Sequence, residues 1–376
     1  MQISNTTKMT LLLLSMLSVM SNVAIITSLP HLRDHFLDVE SIDFLSRLMI
    51  TLPSLSIAIL SPFLGHLLNR FSKKSALIFA LLFFSVTGSA GLYVVGIDAL
   101  LMSRFMFGIA VAMLMILTTA LVGDYFSQEE RHKYMGLQSA FTSLGGLLFL
   151  VGGGLLSDID WRYPFGVYLV GVLYIPLVKL FIKEPDSHAK MQTSDGPASL
   201  GKIYFLAFLL MLVFYILPTQ MPFLMIQHFG ASGALTGSII ATAFVFNALG
   251  AMSFSRLKKR FEFKHIYFIG MSIVGVGFLL IGLVQDVHYF FLTSPILGFG
   301  GGILMTNIVA WMLSQSEAKT RVKSSGYLTS ALFFGQFASP VVFYPIVAVV
   351  GVQNFFEVVG GLIVLVLVGL KVSKRV

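Results

Sequence analysis

The sequence contains no cysteine, so neither a disulfide framework nor thiolate chemistry enters its reading. Charge is scarce: Asp, Glu, Lys and Arg make up 11% of the 376 residues, against 56% hydrophobic ones. A soluble domain carries about 25% charge, so this composition excludes one. The eight histidines are scattered without the spacing of metal ligands, which argues against a metal centre and against a polytopic membrane enzyme. No phosphate-binding loop is present, because Gly298-Phe-Gly-Gly-Gly302 lies in an apolar stretch without the lysine such a loop uses. ATP hydrolysis and a cofactor are therefore not expected, and energy would come from an ion gradient. No repeated ring of polar or charged residues suggests a channel pore.

What the sequence has instead is long apolar segments. A bilayer core of ~30 Å needs about 20 apolar residues per helix. Roughly twelve such segments are predicted, near 9–30, 43–64, 75–96, 99–122, 134–156, 164–182, 202–224, 233–255, 264–284, 288–313, 323–347 and 354–372. The first exceeds a signal-peptide core and lacks a cleavage site of small residues, so it reads as a retained helix. The net charge of +8 follows the loops rather than a nucleic-acid site. Lys8, Arg70, Lys73, Lys74, Arg131, Lys133, Arg256, Lys258, Lys259, Arg260, Lys264, Lys319, Arg321, Lys323, Lys374 and Arg375 fall on one side. Asp34, Asp38, Glu40, Asp43, Asp98, Asp158, Asp160 and Asp286 fall on the other. Short basic loops stay cytoplasmic, which places both termini inside a bacterial inner membrane.

The chain also contains itself twice. Leu67-x-x-Arg70-Phe71-x-x-Lys74 recurs about 190 residues on as Leu257-x-x-Arg260-Phe261-x-x-Lys264. Gly108, Gly136 and Gly145 are matched at the same offset by Gly298, Gly326 and Gly335. The expected fold is an all-α membrane protein of two pseudo-symmetric six-helix bundles, residues 1–182 and 202–376. Residues 183–201, the one long polar interruption, read as a plain cytoplasmic tether. Repeated apolar halves of this kind are the pattern of secondary transporters, with a site between the repeats.

The residues of the repeat also carry a family resemblance. The turn Gly65-His-Leu67-Leu-Asn69-Arg70-Phe-Ser72-Lys73-Lys74 resembles the signature loop of the major facilitator superfamily, Gly-x-Leu-x-Asp-Arg-x-Gly-Arg-Arg. Arg104 with Gly108 resembles the superfamily's fourth-helix motif, and Asp124 followed by Arg131, and Trp161-Arg162-Tyr163-Pro164-Phe165, are similar too. The resemblance spans the chain and is greatest to the twelve-helix drug:proton antiporter branch. It implies alternating access about a midplane site, with Gly65, Asn69, Arg70, Lys73, Lys74, Asp124 and Arg131 governing the conformational change.

Two departures qualify the resemblance. The acidic position of the loop is Asn69, which would face Ser324 and Ser325 at the start of the eleventh helix without the charge a helix N-terminus favours. The expected effect of Asn69→Asp is a shift toward the outward-open state, readable by accessibility labelling. In the fifth helix the antiporter pattern's Gly-Pro is replaced by Phe149-Leu150, while Pro340 follows Gly326 and Gly335 in the eleventh. Gly145, Gly335 and Pro340 are thus the expected helix gate, moved to the second half.

Arg104 is the leading functional candidate, because a charge within a membrane span is costly and faces a cavity or a partner. Asp34 and Glu357 are the other expected proton-coupling groups, while His31 and His35 are expected at the membrane surface. Polar residues deep in apolar segments are Asn22, Gln138, Asn247, Asn307 and Gln336; the resemblance places helices one, four, seven and ten around the cavity, which favours Asn22, Asn307, Tyr215 and Gln220 as cavity candidates, with Gln138 and Gln336 beside them. Trp311 is expected as an interfacial anchor. With 35 Phe and 18 Met the cavity would be adaptable, suiting neutral, lipophilic or singly charged compounds. The function expected is proton-driven efflux of small amphipathic or drug-like compounds by a monomer in the bilayer; uptake or export of a specific metabolite by the same fold is the alternative.

Overall fold

In the computed structural model, residues 4–68, 70–126, 128–184, 200–316 and 321–372 are described. All regular structure among them is helical. The first unit contains α1 (Asn5–Val23), α2 (Leu29–His35), α3 (Ile42–Leu68), α4 (Lys73–Gly88), α5 (Ile97–Tyr125), α6 (Gln128–Ile159) and α7 (Val170–Phe181). The second contains α8 (Gly201–Phe214), α9 (Ile216–Phe223), α10 (Gly233–Lys258), α11 (Phe263–Leu283), α12 (Phe290–Gln315), α13 (Arg321–Val350) and α14 (Val352–Val372). Taken with their short flanking turns they give, among the described residues, 12 helices long and apolar enough to cross a membrane. The chain divides into two compact units, Met1–Thr193 and Ser194–Val376.

Local chemistry sets the element ends. Ser4, Ser72 and Ser232 each accept a backbone N–H three residues on, capping α1, α4 and α10. The turn from α13 to α14 is the single residue Gly351, whose φ of +80° is open to a residue without Cβ.

The two units pack their helices alike. In the first, α1 lies on α6, α3 on α5, and α4 on both α5 and α7. In the second, α8 lies on α13, α10 on α12, and α11 on both α12 and α14. The repeated glycines explain why the frames coincide. A Cβ on Gly108 would lie 2.3 Å from the Pro53 carbonyl oxygen, and one on Gly298 would lie 2.0 Å from the Ala243 carbonyl oxygen. Both members of each contact are related by the same offset of about 190 residues. Within a bilayer, where burying apolar area between helices gains little, such backbone contact is a main source of cohesion. Gly335 against the Phe208 carbonyl does the same for α8–α13, while Gly145 makes room for the Met16 side chain between α1 and α6.

Candidate functional site

Each unit begins with a span that is broken, and the breaks are repeat-related. In the first, α1 ends at Val23 and a 3-10 turn, Ile26–Ser28, leads into α2 with Pro30 near its start. In the second, α8 ends at Phe214, Tyr215 caps it, α9 carries Pro222, and a π-turn, Leu224–His228, follows. Ile25 and Tyr215, the residues at the two interruptions, stand about 190 positions apart. Proline removes a backbone donor and loosens the helix around it, and interrupted spans in corresponding positions of two repeats are where carriers place their sites. Three cavity candidates gather near the second break. Tyr215 and Gln220 are buried on either side of it, and Gln336 on α13 reaches the Met211 sulfur one turn earlier, at 3.7 Å.

The other cavity candidates lie elsewhere. Asn307 is fully buried on α12, but its amide donates to the Phe263 carbonyl at the start of α11, at 3.1 Å, tying those helices together. Gln138 is half-buried on α6, and the side chain of Asn22 lies outside the described residues. Trp311 is not an interfacial anchor. It is buried and stacked on Phe263, with centroids 6.0 Å apart, while Lys258 sits over the outer ring of that pair at 4.2 Å.

Arg104 neither snorkels nor meets a carboxylate. Its side chain is fully buried on α5 and donates through Nη2 to the carbonyls of Thr87, at 3.1 Å, and Gly88, at 2.6 Å. The guanidinium lies over Phe107, Phe165 and Tyr168, 4.7 to 5.2 Å from their centroids. Those two carbonyls belong to the last turn of α4, where a helix leaves four acceptors without partners and carries partial negative charge. The neighbouring acceptors are served too: the Tyr93 hydroxyl donates to the Val86 carbonyl, and Arg162, stacked on Trp161, donates to those of Gly91 and Val94. The result is a rigid clamp on one end of α4.

At the other end of α4 the signature loop forms a charged knot. Lys73 Nζ meets Asp124 of α5 at 2.5 Å. The Glu184 carboxylate accepts from the backbone N–H groups of Lys73 (2.7 Å) and Lys74 (2.9 Å) and from the Ser72 hydroxyl (2.7 Å). Lys74 Nζ donates to the Lys179 carbonyl at 2.7 Å, and Tyr125 and Lys183 exchange hydrogen bonds. Partial burial of Glu184 would raise its pKa, but the donors of Lys74, Ser72 and Lys73 together hold it below the ordinary glutamate value. Residues 183–184, expected as the start of a plain tether, are thus part of the first unit. Arg70 is exposed and a Cβ on Gly65 would meet nothing within 4 Å, while Asn69 lies outside the described residues, as does the side chain of Arg131.

The acids expected to carry a proton are differently placed. Asp34 is bridged by Arg33 at 2.9 Å, and Arg33 also holds Asp43 at 3.0 Å. Glu357 is half-buried on α14, its backbone and Cγ pressed against Gly282 of α11. Pro340 lies buried within α13, which continues through it to Val350. A buried charge absent from the sequence reading is Arg47 on α3, which donates to the Asp43 carbonyl.

Known proteins show the same design. Multidrug resistance protein 1 of Bacillus subtilis is 29% identical to this chain over 76% of both. Quinolone resistance protein NorA of Staphylococcus aureus is 32% identical over 34% of this chain and 32% of its own. Among solved structures, a D-xylose-proton symporter superposes with a TM-score of 0.78 at 15% identity, covering 96% of both chains. A bacterial homolog of the human lysosomal transporter Spinster, in its inward-facing and occupied conformation, gives 0.75 at 16%, covering 98% of this chain and 94% of that one. Residues 11–203 and 203–375, one stretch for each half, match the model of the Major Facilitator Superfamily. The chain belongs to the Major Facilitator Superfamily and is a multi-pass membrane transporter.

Proposed function

We propose that this carrier expels small amphipathic, drug-like compounds in exchange for protons, working by alternating access. The observation that carries the carrier reading is the pair of repeat-related interruptions at Ile25 and Tyr215, with polar candidates Tyr215, Gln220 and Gln336 gathered at the second. The compound class follows from the likeness to proteins named for multidrug and quinolone resistance. The basic residues of the α3–α4 and α10–α11 turns favour a cytoplasmic placement of both termini. In this reading, residues 1–182 and 202–376 are the two bundles, joined by 183–201 with Lys183 and Glu184 held against the first of them, and the working unit is a monomer. The knot of Lys73, Lys74, Asp124 and Glu184 keeps the first bundle rigid at its cytoplasmic end. Arg104 acts from the opposite end as a clamp on α4.

The test is accumulation of a panel of fluorescent cations and antibiotics in an efflux-deficient bacterial host, with and without an uncoupler. Expression should lower accumulation of some compounds, and the uncoupler should abolish the difference. An unchanged panel, with the protein confirmed in the membrane, would defeat the drug-export reading and turn attention to metabolite uptake.

A further inference from the structure

The first break differs chemically from the second. Around it stand Thr27 and Ser28, each 1% exposed, and neither hydroxyl has a hydrogen-bond partner. Other hydroxyls in the spans bond back to a carbonyl one turn earlier. Ser15, Ser18 and Ser21 of α1 do so at 2.6 to 2.7 Å, and Thr219 at the second break bonds the Tyr215 carbonyl at 2.7 Å. Orphaned hydroxyls also occur at Thr293, Ser294 and Ser339, but among the described residues only the pair at the first break has an unpartnered histidine nitrogen close by in the chain, a combination that calls for an explanation. One turn beyond Thr27, on α2, stands His31. Its residue is half-buried, yet Nε2 is enclosed and also without a partner. Thr27 and Ser28 stand four and three residues before His31, across the junction of the 3-10 turn and α2, a spacing that puts side chains of a helix on one face. Thr51 adds another orphaned, fully buried hydroxyl on α3, the helix against which α2 packs.

We propose that His31, with the Thr27 and Ser28 hydroxyls, is the proton-binding site of the carrier, a proposal that rests on the proton-driven reading above. A neutral imidazole with its hydrogen on Nδ1 offers the Nε2 lone pair. A proton from outside adds there to give the imidazolium, whose new N–H is donated to a neighbouring hydroxyl oxygen. The reverse step returns the proton on the opposite side. Imidazole is the side chain whose ordinary titration spans the physiological range. The charged or titratable residues on α2 and on the elements that touch it are Arg33, Asp34 and His35 on α2, Asp43 and Arg47 on α3, and Asp160 and Arg162 flanking Trp161, which meets the His35 ring; the 3-10 turn carries none. Arg33 holds both acids, and Arg47 donates to the Asp43 backbone carbonyl.

The test uses purified full-length protein in liposomes, with ethidium as the probe. Two fluxes are measured: uphill ethidium transport driven by an imposed pH gradient, and ethidium exchange at equal pH. His31→Gln should lose the driven flux and keep the exchange. His31→Glu, which restores a titratable group, should recover the driven flux with its pH profile moved to lower pH. His35→Gln, four residues on and with its ring tilted against Trp161 at 5.3 Å, should leave both fluxes intact. A driven flux undiminished in His31→Gln overturns the assignment alone. Loss of both fluxes in His31→Gln and His31→Glu also overturns it, in favour of a structural role. A wild type that exchanges ethidium but ignores the gradient overturns the proton-driven reading, and His31 with it.

Discussion

The two halves solve one structural problem with different chemistry. Each must satisfy the carbonyls left over where its third span ends. In the N-terminal half, two arginines do this: Arg104 for Thr87 and Gly88, and Arg162 for Gly91 and Val94. In the C-terminal half a neutral amide suffices, with Gln353 donating to the Gly282 and Val284 carbonyls at 3.0 and 2.8 Å. The residue related to Arg104 is Ser294, fully buried with an unpartnered hydroxyl, and in place of Gly88 and Tyr168 stand Phe278 and Val358. Phe278, Phe355 and Phe356 pack there as an all-apolar cluster. The frame is repeated, and the polar chemistry laid on it is not. Where the halves agree, residues hold backbones together; where they differ, a cation or an orphaned hydroxyl has been added that the frame does not need.

The sharpest way to break this comparison is to alter the related pair Arg104 and Ser294. Arg104→Leu strands the two α4 carbonyls, each worth about 1–3 kcal/mol when left unpaired, in addition to lost packing. A large fall in the half-unfolding temperature in detergent is expected, read from the two tryptophans. Arg104→Lys should recover little, because a point charge on a flexible stem cannot bridge two carbonyls while stacked on three rings. Ser294→Ala removes a hydroxyl that bonds nothing and should be neutral or slightly stabilising. Equal effects at the two sites would mean that the halves are not chemically distinct here.

The glycine contacts sharpen the opposite side, where the halves should behave alike. Gly108→Ala and Gly298→Ala each drive a methyl group into a carbonyl oxygen, and overpacking of this kind costs about 1–3 kcal/mol. Gly65→Ala and Gly326→Ala meet nothing within 4 Å and should be tolerated, since Ala is the better helix former. A substantial loss at Gly65 or Gly326, against none at Gly108 or Gly298, would show that the repeat reflects motif function rather than close packing.

This division also marks what could be read from the sequence. Hydropathy and the repeat are local or periodic signals, so the spans and the two-fold repeated frame were legible, while the Lys73–Asp124 pair was not, although both residues had been singled out. Contacts across the chain were not. Glu184 caps a helix more than 100 residues away and, read in order, looked like the first acid of a tether. Trp311 near a span end fits an interfacial anchor as well as a buried partner of Phe263, and only the α11–α12 packing decides. Pro30, Pro218 and Pro222 were visible signals of broken spans. Nothing in the sequence separates a histidine at the membrane surface from one whose Nε2 is enclosed, as at His31. Arg47 was missed because one charge near the end of a long apolar helix resembles a snorkelling side chain.

The smallest expected effect tests the two turns that carry the repeated Arg-Phe-x-x-Lys pattern. At the position before α4 the first half has Ser72, with the acid brought in by Glu184; the second half has Glu262 in the chain itself, making no side-chain cap bond to α11. Glu184→Gln should cost about 0.3–1 kcal/mol at neutral pH and low salt, toward the lower end because Glu184 is mostly exposed and screened. Glu262→Gln should cost less. The sign with pH follows from linkage: the folded pKa of Glu184 is depressed, so its contribution is complete above the unfolded value of 4.5 and fades as pH falls through the folded one. The wild type and Glu184→Gln should therefore converge in thermal stability as pH falls below 4.5 and through the depressed folded value, while salt narrows their difference at pH 7. A gap that persists unchanged into acid would mean that Glu184 acts through its shape and neutral hydrogen bonds. The charge that Ser72 lacks and Glu262 carries would then play no part in how either turn is held.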